Sequence, residues 1–287
     1  MLNTVRFIID HPLNKHRPFT ALLKFIKWQV TSRLVRYPIL YPWINDSKIL
    51  AWNGLTGVTG NIYCGLHEYE DMAFTLHFLR SADWFADVGA NVGSYTVLAA
   101  TTGAHVLAVE PLPPTFDILR KNIGVNGFPQ RVEALNVGLA SEEGTLFFTN
   151  NLDTVNHVVV EGTTGSQRVR VTTLDIICAD HCPALVKMDV EGFEAEVIRG
   201  AAQTLQNRTL CALIVELNDA AKQYGTTDVP DLLAQYGFTR MQYEPTSRSL
   251  KPFQFSSSAN GLFVRDRGFV QDRLLNSISY SIGKTNI

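Results

Sequence analysis

Two carboxylates stand at positions where a bound ligand would meet them. The segment Trp84–Thr96 reads WFADVGANVGSYT. An apolar run ends in Asp87, a small-residue turn follows at Gly89, Ala90, Asn91, Val92 and Gly93, and helix-like sequence resumes. This is the pattern of a strand, a tight loop and a helix, with an acid at the strand's tip. Glycine permits dihedrals that other residues avoid and lets a ligand approach the backbone closely. In open α/β sheets, strand tips are where ligands bind. The next apolar run, His105–Glu110, ends in Glu110 and is followed by Pro111. Glu110 lies 21 positions beyond Gly89, about the spacing at which an acid meets ribose hydroxyls.

The charge of the first acid decides the ligand class. A dinucleotide site requires G-x-G-x-x-G. Counted from Gly89, that pattern needs glycine where Asn91 and Ser94 stand. An acid just before the loop also repels phosphate. It suits a ligand that carries an ammonium group and no phosphate, which S-adenosylmethionine does. Asp87, Gly89, Ala90, Asn91, Gly93, Glu110 and Pro111 are therefore expected around that donor. The third strand's tip, Asn136, Val137 and Gly138, is expected beside its adenine. A side-chain amide and a backbone N–H can read the adenine edge, although asparagine and glycine also simply end strands.

Lys187, Asp189 and Glu191 alternate in an otherwise apolar stretch. Period-two spacing puts them on one side of a strand. Three charges in a central strand are costly to bury unpaired. Either Lys187 pairs with Asp189 or Glu191, or the acids face a reacting group. Methyl transfer needs alignment of acceptor, methyl and sulfur, and where the acceptor is a hydroxyl its proton must be removed. Asp189 and Glu191 are the candidate bases, with His157 of a polar loop as an alternative. The fifth strand ends in Glu216, Asn218 and Asp219. These could complete a magnesium-like site, but the sequence assigns no metal ligand.

DVGANVGSYT, AVEP and LVKMDVEGFEAEVIRGA (Leu185–Ala201) resemble the FkbM-type methyltransferases. The resemblance spans about Tyr69 to Leu217 and weakens beyond. K-x-D-x-E-G is its most specific part. Asn91 replaces the middle glycine of the wider D-x-G-x-G-x-G pattern, as is usual in this group, and asparagine tolerates left-handed backbone. The resemblance implies a Rossmann-like class I fold: a mostly parallel seven-stranded sheet with helices on both faces. It implies S-adenosyl-L-methionine as donor and S-adenosyl-L-homocysteine as product. The acceptor would be a hydroxyl of a sugar, glycan or secondary metabolite, with Lys187, Asp189 and Glu191 at the reacting centre. The Tyr69–Glu70 pair, frequent in the family, places Glu70 either at a helix start or over the donor. N-methylation is an alternative, but DVEG stands where a proline-aromatic tetrapeptide is often found. A nucleotide-dependent oxidoreductase is disfavoured by Asp87 and the failed glycine spacing. A non-enzymatic binding protein would have lost the strand-tip acids.

The rest of the chain sets bounds. It has 287 residues, 46% of them apolar and 18% charged, with net charge −2. This is the composition of a soluble globular protein with no global attraction for nucleic acid. Cys64, Cys178, Cys182 and Cys211 are scattered, which suits reduced thiols in the cytoplasm better than a zinc site. No signal peptide or run of about 20 apolar residues is evident. Residues 1–45 read as a basic helical extension and 46–287 as the methyltransferase domain. Within that domain lie the donor-binding core (69–217), a substrate-side loop (150–167) and C-terminal strands and tail (239–287). In the extension, Phe19–Tyr37 has helical periodicity, with Phe19, Leu22, Leu23, Phe25, Ile26, Val30 and Leu34 on an apolar face and Lys24, Lys27, Arg33 and Arg36 interleaved. Such a face either packs on the core or on a second copy of the chain, or lies on an anionic membrane. Lys48–Trp52 and Val58–Tyr63 are expected to form a hairpin, and Asp71–Leu79 a helix. From Phe85 onward, strand and helix patterns alternate as in a parallel sheet. Trp43, Trp52, Phe253 and Phe255 could stack on a sugar, but a core or surface role suits each better.

Overall fold

The computed structural model describes residues 2–149, 158–159, 162–217, 229–254, 259–283 and 285–287. His157, Asn218, Asp219 and Phe255 lie outside them. Eight strands of the described residues form the central sheet. They are Trp84–Val88 (β1), His105–Val109 (β2), Val132–Leu135 (β3), Leu185–Met188 (β4), Ala212–Glu216 (β5), Thr239–Glu244 (β6), Ser249–Pro252 (β7) and Asn260–Val264 (β8). Their spatial order is β7-β6-β8-β5-β4-β1-β2-β3. β3, β2, β1, β4 and β5 run parallel, and β8 returns antiparallel to both β5 and β6.

β1, β2 and β4 are buried almost throughout, as parallel strands covered on both faces must be. Successive side chains go to opposite layers. Phe85, Val106, Leu185 and Ile214 join one apolar cluster, while Ala86, Leu107, Val186 and Leu213 join the other. The first layer contains helices Tyr69–Phe78 and Ser94–Thr101, and the second Glu194–Arg199 and Val229–Gln235. The class I architecture expected from the sequence is thus present, with one strand more. β7 adds to the edge as a hairpin with β6. β1 lies at the switch point, where the chain turns from β2 and β3 on one side to β4 and β5 on the other, and open α/β sheets bind ligands there.

The expected hairpin is different. Val58–Tyr63 is not a strand: Thr56–Cys64 forms a helix, closed by Gly65 at φ +90°. Val58, Asn61 and Ile62 are buried on one side, which is helical spacing, and the polar Asn61 hides that period in the sequence. The true partner of Lys48–Ala51 is Ile39–Pro42, with Ile39 opposite Ala51. The N-terminal segment forms two helices, Leu2–Asp10 and Pro18–Leu34, and the second stops three residues short of Tyr37. Ile8, Trp28 and Ile44 lie in the same apolar cluster as Phe74 and Phe85. Trp43 is buried and donates its indole N–H to the Gly65 carbonyl at 2.6 Å, so it is a packing residue.

Candidate active site

A cavity of about 390 Å³ opens at the carboxyl ends of β1, β2, β4 and β5. Asp87, Gly89, Ala90, Asn91, Glu110, Pro111, Val137, Lys187, Asp189 and Glu191 all line it. Two expected donor contacts do not. Gly93 sits at the start of helix Ser94–Thr101 with φ +92°, packed against Leu119. Asn136 donates its amide to the carbonyls of Glu110 (2.8 Å) and Pro111 (3.0 Å). It ties down the β2 tip while Val137 reaches the cavity.

The loop after β1 is shaped by close approach. Gly89 has φ +78°, and a Cβ there would sit 1.8 Å from the Asp189 carbonyl oxygen. Only glycine lets the tips of β1 and β4 touch. The N–H groups of Gly89 and Ala90 both donate to the Val109 carbonyl, so this loop meets a ligand with other atoms. Asn91, at φ +51°, occupies the left-handed region, and its side-chain oxygen accepts from Val92 N at 2.7 Å. Its own N–H donates to Glu110 Oε2 at 3.0 Å, and Leu112 N donates to Glu110 Oε1 at 2.9 Å. A carboxylate offers about four acceptor sites. Glu110 is thus held rigidly with capacity left for two hydroxyls.

Asp87 is buried and accepts from the Thr96 hydroxyl at 2.5 Å. Lys187 lies beside it on β4. The Lys187 ammonium is 3.3 Å from Asp189 Oδ2 and 5.4 Å from the centre of the Tyr95 ring. Tyr95 in turn donates to Glu68 at 2.6 Å. Of the two pairings open to Lys187, the structure forms the one with Asp189. Glu191 follows with φ +53°. Its turn is braced from inside by Glu194, whose Oε1 accepts from the N–H groups of Val190 and Gly192.

Among the described residues, six carboxylates line this cavity: Glu68, Asp87, Glu110, Asp189, Glu191 and Glu216. Burial pushes Asp87 up to about 6, against the opposing pull of the Thr96 hydroxyl and Lys187. Burial pushes Glu110 up to about 7, although two backbone N–H groups favour its charged form. Glu191 also rises to about 7, through burial and the charges of Asp189 and Glu194. Glu216 is raised by burial and by Asp189 and Glu191. Burial alone would lower Lys187, but Asp189, Glu68, Asp71 and Glu216 outweigh it and hold the ammonium charged. Six carboxylates facing the one Lys187 ammonium leave the described wall with an excess of acid, which a cationic ligand would relieve. Asp189, Glu191 and Glu216 each place a carboxylate oxygen within 4.8 Å of the others, a donor set of the kind a divalent cation accepts.

The other wall was not foreseen. Thr56, Gly57, Gly60 and Asn61 of the Thr56–Cys64 helix face the cavity, with His67 and Glu68. Asn61 holds this wall to the loop: its amide donates to Ser94 Oγ at 3.2 Å and its oxygen accepts from His67 N at 2.8 Å. Glu68 stands where Glu70 was the alternative expectation. Glu70 is absent from the lining of the cavity, and burial, with the nearby charge of Glu244, raises its pKa. Tyr95 lies inside the GSYT motif, which is the sequence signal for the Tyr95–Glu68 link.

Residues 87–240 match the methyltransferase FkbM domain family. The chain belongs to the FkbM methyltransferase family. It is 34% identical over 154 residues to hexuronic acid methyltransferase AglP of Haloferax volcanii, covering 53% of this chain and 62% of that protein. It is 28% identical to methyltransferase sdnD of Sordaria araneosa, covering 46% of this chain and 65% of that one. The match therefore spans under two thirds of each relative's length. A crystal structure of an FkbM methyltransferase from Methylobacillus flagellatus superposes with a TM-score of 0.46 at 17% identity, over 72% of this chain and 52% of that one. The FkbM match begins at Asp87, so the strand-tip wall falls inside it and the Thr56–Glu68 wall before it.

Proposed function

We propose that this protein transfers a methyl group from S-adenosylmethionine to a hydroxyl of a sugar-like or small-metabolite acceptor. The carrying observation is the pair Asp87 and Glu110, buried side by side at neighbouring strand tips and facing one cavity. Their carboxylates suit an ammonium group and a ribose, and they oppose a phosphate. Leu112, Val137, Leu139 and Phe148 supply apolar lining beyond Glu110, which suits a purine. When bound, the donor supplies a methyl group already activated by a positively charged sulfur.

The chain's own residues then have three tasks. Asp87 and Glu110 bind and orient the donor. The Lys187–Asp189 pair, braced by Tyr95 and Glu68, keeps the β4 tip in place without adding net charge. Glu191 accepts the hydroxyl proton, because a base held near neutrality is effective at neutral pH. Oxygen is favoured over nitrogen on this ground: a neutral amine attacks before it loses a proton and needs no such base. The name of the Haloferax relative supports a sugar as acceptor, and the carboxylate-rich wall favours one without negative charge. A second reading has a divalent cation on Asp189, Glu191 and Glu216 activate the hydroxyl. Loss of turnover on chelation would select it.

Isothermal calorimetry with S-adenosylmethionine and its demethylated product tests the core of the proposal. Binding is expected for both and is expected to weaken in Asp87→Ala and Glu110→Ala. Absence of heat, or stabilisation by NAD instead, would overturn it. Labelled-methyl transfer to extracts and to neutral, acidic and amino sugars then identifies the acceptor class.

A further inference from the structure

The Pro18–Leu34 helix is built the wrong way round for a surface helix. A normal one buries its apolar face and shows a polar one. Here Ala21, Trp28 and Ser32 are buried against the core. On the opposite side Phe19, Leu23, Ile26, Val30 and Leu34 are between 52% and 82% exposed. They recur at steps of four, three, four and four residues, which is one continuous stripe. The Pro18–Leu34 helix ends just before Tyr37, which is 78% exposed. At 3.6 residues per turn, Lys27 and Arg33 fall roughly 60° to either side of the stripe's centre.

We propose that this face seats the protein on the surface of a bilayer containing anionic phospholipids. Charge supports that occupant. Residues 1–36 carry seven Lys/Arg against one acid, Asp10, leaving 18 against 26 for residues 37–287. The basic charge is thus concentrated at the end of the chain that bears the apolar stripe, and the remainder would be repelled by anionic lipid. Exposed leucine, isoleucine and phenylalanine between flanking lysine and arginine is the pattern of a helix that lies in an interface. No helix among the described residues is long and apolar enough to cross the membrane, so the helix lies on the bilayer. A second copy of the chain fits less well, because pairing through the stripe would set Lys27 and Arg33 against the same basic flanks.

The placement matters for the cavity. Gln29 donates to the Tyr63 hydroxyl at 2.7 Å, and Phe25 meets the Tyr63 ring at 5.1 Å. Tyr63 belongs to the Thr56–Cys64 helix, whose Gly57, Gly60 and Asn61 line the cavity. Two packed helices, Pro18–Leu34 and Thr56–Cys64, therefore lie between the lipid-facing stripe and the cavity.

Co-sedimentation with phosphatidylcholine vesicles, with and without phosphatidylglycerol, tests the proposal on the full chain. The protein is expected to sediment only with the anionic vesicles and to be released by salt. Leu23→Glu with Ile26→Glu should abolish sedimentation, and Lys27→Gln with Arg33→Gln should weaken it roughly tenfold or more. Both double variants should keep wild-type thermal stability and donor affinity, since their side chains face away from the core and the cavity. Light scattering without lipid should give a monomer. Absence of vesicle binding at low salt would overturn the proposal. So would a dimer that Leu23→Glu with Ile26→Glu converts to monomer, which would make the stripe a subunit interface.

Discussion

The two walls of the cavity were built by different rules. On the strand-tip wall, each acid is fixed by a neighbour: Asp87 by Thr96, Glu110 by the N–H groups of Asn91 and Leu112, Asp189 by Lys187. On the helical wall, Gly57, Gly60 and His67 are presented by one short helix and the turn after it, anchored to the loop through Asn61 and Ser94. The first wall follows from the switch point of the sheet and lies inside the FkbM match. The second lies outside it. The difference teaches that the fold dictates the strand-tip wall, whereas the segment before Asp87 shapes the space opposite it.

The sharpest way to break this comparison is to remove the proposed proton acceptor and leave the proposed donor wall intact. Glu191→Gln should lower kcat by 10²- to 10⁴-fold, the range general bases contribute, with donor affinity within about threefold. Its φ of +53° is as tolerable for glutamine as for glutamate, so folding should survive. Single-turnover rates and calorimetry on the same preparation separate the two effects. Equal losses in both would move Glu191 to the donor side.

A matched pair of glycine substitutions compares the walls directly. Gly89→Ala drives a methyl group into the Asp189 backbone oxygen at 1.8 Å, at a φ of +78°. Backbone cannot yield without separating β1 from β4, so donor binding should be lost and the Tm should fall by several degrees. Gly60→Ala instead meets the His67 ring at 2.3 Å. His67 is an exposed side chain and can swing away. Donor affinity should change by less than about fivefold, and the helix gains from alanine's propensity. A reversed ranking would make the helical wall the rigid one.

What the sequence revealed follows the same division. Asp87, Gly89 and Glu110 were legible because each closes an apolar run of strand length and sits at a meaningful spacing from the next. The Lys187–Asp189 pair was one of two pairings that period-two spacing allowed. The Thr56–Cys64 helix was hidden by its composition: two glycines, two threonines and a valine read as a turn and a strand, and Asn61 interrupts the apolar period. β7 was missed because it is a four-residue edge strand, half exposed and ending in Pro252. Asn136 was placed on the right strand tip, but spacing does not say whether an amide turns toward a cavity or toward the carbonyls of the neighbouring strand.

The proposed donor contacts should respond more modestly. Hydrogen bonds to charged groups contribute about 1.5–3 kcal/mol each, so Glu110→Ala and Asp87→Ala should each weaken donor binding by roughly 10- to 100-fold. Asn136→Ala, which removes only the brace on the Glu110–Pro111 backbone, should cost less than either and should leave kcat at saturating donor near its original value. Calorimetric affinities and saturation kinetics for the three variants rank them. An Asn136 variant as impaired as Glu110→Ala would return Asn136 to direct contact with the adenine.

The smallest effect carries a sign that identifies its cause. Asp87 and Glu110 hold their protons up to about 6 and about 7, above the ordinary carboxylate value near 4. A folded-state pKa raised in this way gives stability at low pH that is lost as pH rises through it. Glu191 and Asp71, both near 7, add to the trend. His11 and His77, lowered by burial to about 4, oppose it, since their stability is lost as pH falls below about 6.5. Between pH of about 8 and 6.5 the carboxylates dominate, and the unliganded protein should gain a few degrees in Tm as acid is added. Donor binding should run the other way, because a cation prefers the ionised acids, and the donor-induced rise in Tm should be larger at the higher pH. Thermal shifts with and without S-adenosylmethionine across that window give both slopes. Slopes of the same sign would mean that charge on the strand-tip wall is not what recognises the donor.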